Sequence, residues 1–113
     1  MGRLLDEQRR MKEQAIDCIR SGRYGEATNF IFKVIVSMGK METLRKRKRD
    51  LTPSKVEKMI STKHENLRSR YAAVSMNITQ MEIAREVYDE IMLELIPEST
   101  NNKTLSEQLG DEE

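Results

Sequence analysis

TPSKVEKMISTKHENLRSRYAAVSMNITQMEIAREVYDEIMLELIP, residues 52–97, is the stretch whose reading decides the fold class. Every seventh residue from Ile60 onward is apolar: Ile60, Leu67, Val74, Met81, Tyr88 and Leu95. His64, Tyr71 and Ile78 extend the stripe between them, and Ala84 and Ile91 carry it further. A seven-residue apolar repeat is the mark of a helix that buries one seam along its whole length. No Gly or Pro falls between Pro53 and Pro97, so the spacing predicts one long coiled-coil-like helix over residues 54–96. Thr52-Pro53-Ser54 marks its start, because proline is tolerated in a first turn and Ser54 and Glu57 have capping-box spacing. Pro97 ends it.

Upstream, Leu4, Leu5, Met11, Ala15, Cys18 and Ile19 recur at three- and four-residue steps, which predicts a helix over about residues 3–21. Gly22 is placed to end it, since glycine takes a left-handed cap without steric cost. A second helix is expected over about residues 23–49, with Tyr24, Ala27, Ile31, Val34, Met38 and Met41 on one stripe. Phe30, Ile35 and Val36 widen that stripe. Val34 to Val36 also suits a short strand, but no second strand-like segment exists to pair with it. The fold class is therefore all-α, an elongated helical bundle or hairpin with residues 1–97 as a single domain. Residues 98–113 are polar and acidic and read as a disordered tail.

At 1.5 Å per residue the third helix would be roughly 64 Å long and the second roughly 40 Å. An antiparallel pair turning near Asp50 and Leu51 would leave residues 81–96 projecting past the bundle. That segment is apolar on more than one face, and soluble monomers avoid such a patch. Either the chain bends near Asn77–Thr79 and tucks it back, or a second chain covers it. The lack of Gly or Pro favours the second, a homodimer or a partner helix seated on Met81, Ala84, Val87, Tyr88, Ile91, Met92 and Leu95.

The net charge of +1 conceals a strong division. Residues 40–70 carry eleven basic and four acidic groups, whereas 82–113 carry two basic and ten acidic. Arg45, Lys46, Arg47, Lys48 and Arg49 form the sharpest local feature. Consecutive cations suit phosphate contact, each adding salt-sensitive, sequence-independent affinity. They also fit a nuclear-import signal, or a solvated helix end favoured by the helix dipole. Lys55, Lys58, Lys63, Arg68 and Arg70 continue the basic field along the third helix and support the phosphate option.

A metal site needs several ligands, and His64 is the only histidine and Cys18 the only cysteine. Both read as core residues. Glu86, Asp89, Glu90 and Glu94 read as a solubilising face, and no phosphate loop or nucleophile–base pairing occurs. No enzyme activity, cofactor or small-molecule substrate is expected. The lone cysteine argues against an oxidising compartment, and no apolar run approaches the roughly 20 residues of a membrane span. The expected location is intracellular, cytoplasmic or nuclear. The eight methionines are commoner as fillers of irregular core gaps than as adaptable binding surface.

Gly22-Arg23-Tyr24-Gly25-Glu26-Ala27 resembles the turn of helical hairpins such as those of tetratricopeptide repeats and microtubule-interacting-and-trafficking domains. The resemblance covers a short stretch, does not recur at a repeat period, and implies a tight helix–turn–helix and no function. Two functions are thus expected from the sequence. One is a helical interaction protein, adaptor or structural, acting through helix–helix pairing. The other is sequence-independent binding of duplex RNA or DNA through the basic block and the adjoining helical face.

Overall fold

A computed structural model describes residues 2–47, 51–74 and 77–97, with side chains from residue 5 and excluding that of Arg47. About 85% of the described residues are helical, and no strand occurs among them. Five helices follow one another: α1 (Gly2–Arg20), α2 (Tyr24–Ser37), α3 (Met41–Arg47), α4 (Pro53–Ala73) and α5 (Gln80–Leu95). The tail expected at 98–113 lies outside the described residues.

Two glycines end helices, one anticipated and one not. Gly22 adopts φ 80°, the Gly22 amide donates to the Ile19 carbonyl, and the Arg23 amide to that of Cys18. This is the paired 5→2 and 6→1 closure that only a left-handed residue allows. Gly39, at φ 71°, repeats it: its amide donates to Val36 and that of Lys40 to Ile35. The single helix expected over 23–49 is therefore two, α2 and α3. α4 starts at Pro53, one residue before the expected 54, and its cap lies two residues before Ser54. Thr52 is the cap, its hydroxyl accepting from the Lys55 amide at 3.3 Å, and Pro53 occupies the first turn.

The principal departure from expectation lies in residues 54–96. The long helix is interrupted between Ala73 and Gln80, and Thr79 opens α5 with a full capping box. The Glu82 amide donates to the Thr79 hydroxyl at 3.1 Å, and the Thr79 amide donates to the Glu82 carboxylate at 2.9 Å. A break without Gly or Pro is thus made by a side chain that offers the backbone an alternative to the helical ladder. Thr79→Ala is expected to cost about 1 kcal/mol. Chemical denaturation would show it as a lower midpoint with unchanged slope.

α5 then runs back along α4. Tyr71 donates its hydroxyl to Glu86 at 2.7 Å and Lys63 pairs with Glu90 at 3.3 Å, so the two helices are antiparallel. α1 and α2 form the other antiparallel hairpin, the Gln8 amide group reaching the Ser37 carbonyl and Cys18 reaching Glu26. α5 packs on α1, where Arg85 makes two hydrogen bonds to Glu13 at 2.9 and 3.0 Å. α2 packs on α4, which closes a four-helix ring. Its longest extent is 41 Å, against roughly 64 Å for the straight helix alone. The elongated bundle is corrected accordingly.

The core fills the ring. Ile16, Ile19, Ile31, Ile35, Ile60, Leu67, Ile83, Ile91 and Leu95 are essentially inaccessible to solvent. Of the residues expected between chains, Ala84, Val87, Tyr88, Ile91, Met92 and Leu95 are buried inside this core and Met81 packs at its edge. The surface that called for a second chain is covered by α1 and α4. The apparent heptad survives as two separate helices that both turn their apolar seam inward. Val74, its middle member, is 52% exposed at the end of α4.

Candidate interaction surface

The fold-back brings acidic residues of α5 beside basic residues of α4. In a straight hairpin, Glu86, Glu90 and Glu94 would lie far from the lysines of the basic block. Here Glu90 holds Lys63, Glu86 accepts from Tyr71, and Glu94 lines the same groove as Lys55 and Lys58. The Glu86 carboxylate beside it raises the Tyr71 hydroxyl above its ordinary pKa.

The described members of the ten basic residues predicted as a site are spread over α3 and two flanks of α4. Arg45 and Lys46 are exposed on α3, and Arg45 pairs with Glu42 at 3.1 Å. The side chains of Arg47, Lys48 and Arg49 lie outside the described residues. Lys55, Lys58 and Lys63 border the α4–α5 groove, and Arg70 follows Lys63 by two helical turns on the same flank. Arg68 lies one turn beyond His64, on the other flank, where its charge helps depress the His64 pKa. Among the described residues Lys55 and Lys58 form no ion pair, whereas Lys63 does.

The groove has a volume of about 340 Å³. Met59, Thr62 and Asn66 join the three lysines along α4, and Glu94 closes it from α5. Met59, half-buried against the core, forms its apolar floor. These floor residues were missed because α4 positions 59, 62 and 66 become a groove only when α5 lies beside them. The three-and-four spacing of Lys55, Met59, Thr62 and Asn66 was nevertheless legible as a second helical face.

Two further clefts lie between α1 and α2. One, of about 520 Å³, holds a closed polar network in which Arg23 bridges Asp17 at 3.3 Å and Glu26 at 2.8 Å. Cys18 sits beneath it with its thiol against Glu26 at 3.7 Å, and burial pushes that thiol above its ordinary pKa. A thiol so held is a poor nucleophile. Hydrogen bonding from Arg20 holds the Asp17 carboxyl below the usual range. The second cleft is lined by Met11, Phe32 and the 59% exposed Val36.

His64 is 1% exposed, and its Nδ1 lies 2.8 Å from the Tyr24 hydroxyl, with the rings edge-to-face. Its Nε2 is buried without a partner. Desolvation is the main cause of its lowered pKa, followed by the charge of Arg68. The neutral imidazole is therefore a core residue tying α2 to α4. No group of three or more His, Cys, Asp or Glu side chains among the described residues is placed to hold a metal ion. No described helix is long and apolar enough to cross a membrane. Compared with known protein families, curated proteins and solved structures, the chain finds no match.

Proposed function

We propose that the chain is a non-enzymatic helical interaction protein, an adaptor or regulatory module that seats a partner segment in a groove between two of its helices. The observation that carries this reading is the α4–α5 groove. It has an apolar floor at Met59, and Lys55 and Lys58 stand beside it without ion pairs among the described residues. A groove with an apolar floor can receive the apolar face of a helical segment, and a charged rim can pair with its polar edge. The buried titratable groups fit the same reading, because each serves packing. His64 is held by Tyr24, Cys18 by Glu26, and the Tyr88 phenol is driven far above its ordinary pKa by burial.

A second reading, sequence-independent binding of duplex RNA or DNA, keeps support from the exposed Arg45 and Lys46 and the consecutive cations that follow them. It is weakened by Glu90 and Glu94, which would face a phosphate backbone laid along α4.

Photo-crosslinking separates the two. A crosslinking amino acid at position 59, in cells that make the protein, is expected to give discrete protein adducts. The same group at Arg9, on the exposed face of α1, should not give them. Adducts that disappear on nuclease treatment would favour the second reading.

A further inference from the structure

We infer that the α4–α5 groove is a receptor for an acidic amphipathic helix of a partner protein, whose carboxylates lie along the Lys55–Lys58 edge and whose aliphatic side chains rest on Met59. This rests on the interaction reading above and adds the chemistry of the partner.

Three features of the groove select that partner. The first is the position of its cations. Lys55 and Lys58 stand in the first two turns of α4, which has no acidic residue in its first turn. The positive end of the helix dipole disfavours cations there, so these lysines are poorly explained by the stability of α4. An incoming carboxylate would be attracted both by the two ammonium groups and by the helix end itself.

The second is the asymmetry of the rim. Lys63 is already neutralised by Glu90, and Glu94 presents a negative charge from the opposite wall. A ligand that is anionic all round, such as a nucleic-acid backbone, would meet Glu94 on one side. A ligand with its acids along one edge would not. The groove thus discriminates by a repulsive element as well as an attractive one.

The third is length. Lys55 and Asn66 are eleven residue steps apart, roughly 16 Å, which is about three turns of a docked helix. Three turns present apolar anchors at i, i+3 or i+4, and i+7, enough to cover Met59 and the methylene stems of the lysines.

The test is selection, against the immobilised full chain, from a displayed library of about 15-residue amphipathic helices with a constant leucine stripe and randomised polar positions. Enriched peptides are then measured by fluorescence anisotropy and located by amide hydrogen exchange. We expect winners with two or more acids on one edge of the helix and protection centred on residues 55–66 and 90–94. K55E/K58E, at two exposed positions outside the core, should weaken binding by at least tenfold without lowering the thermal midpoint, since acidic side chains suit the start of a helix. E94Q should tighten, a few-fold, peptides that carry acids on both edges while leaving the one-edge winners unchanged, a change of selectivity that a merely structural role for Glu94 would not produce. Winners that are neutral or basic, or that protect another surface, would overturn the acidic-helix inference and leave the interaction reading in place. A library with no enrichment would overturn both. Displacement of the winning peptide by 20-base-pair duplex RNA, with the duplex itself lost in K55E/K58E, would reassign the groove to nucleic acid.

Discussion

Ile91→Glu is expected to abolish the cooperative thermal unfolding of the protein. Ile91 is fully buried in the ring of helices, between Val87 and Leu95 on the seam of α5. Removing the isoleucine from such a site costs about 2–5 kcal/mol even when alanine replaces it. An unpaired carboxylate adds a desolvation penalty of several kcal/mol, or forces the group to take up a proton. The combined loss rivals the whole stability of a small domain, about 5–15 kcal/mol. Leu93→Glu, two residues away, is the control. Leu93 is 40% exposed, so its substitution should shift the stability by no more than about 0.5 kcal/mol. Circular dichroism during heating distinguishes the variants. A straight α4–α5 helix paired with a second chain predicts something else, an Ile91→Glu protein that stays folded and sediments as a monomer. That result would contradict the fold-back of α5.

Acid should destabilise the protein as the pH falls below about 6.5, with His64 as the first cause. Burial and the neighbouring Arg68 lower the folded-state pKa of His64, while the unfolded chain titrates near 6.5. Below that value the unfolded chain binds a proton that the folded protein resists. Stability is therefore fully present above about pH 6.5 and is lost as the pH falls from there toward the folded-state pKa. The loss approaches about 1.4 kcal/mol per pH unit at its steepest, the limit for one proton. Because His64 is the only histidine, His64→Leu should flatten the profile between pH 7 and 5 without altering the carboxylate-driven fall below it. Tyr24→Phe offers the complementary change. It removes the hydroxyl that satisfies Nδ1 and leaves both ring nitrogens unpartnered, at a cost of about 1–3 kcal/mol at neutral pH. Urea titrations at pH 7, 6 and 5 measure both effects. Equal slopes for the wild type and His64→Leu would show that His64 does not control acid stability.

The identity of the elements was largely legible in the residues. Periodicity marked the apolar seams of α1, α2, α4 and α5, because a helix in a small bundle has to bury a three-and-four stripe whatever its partner is. Gly22 was readable as a stop for the same local reason, since only glycine takes its positive φ without penalty. Gly39 carried the same signal, and its effect was submerged by the apolar residues on both sides of it. Thr79 and Glu82 also had capping-box spacing in plain sight. Inside a long heptad, however, that spacing competes with helix continuation, and local preference is weaker than the packing that resolves it.

What the tertiary structure alone decided is which seam faces which. A seven-residue repeat states that Tyr88, Ile91 and Leu95 need apolar cover and does not say whether it comes from α1 and α4 or from another chain. That choice depends on the interruption of the helix between Ala73 and Gln80, and it moves the acidic residues of α5 from one pole of a rod to the side of the basic α4. The charges of residues 40–70 and 82–113 were countable from the start. Their mutual distance was not, and that distance determines whether Lys63 is a free phosphate contact or a partner of Glu90. The groove at Met59 has the same origin: its residues belong to α4, but its far wall exists only because α5 returns beside it.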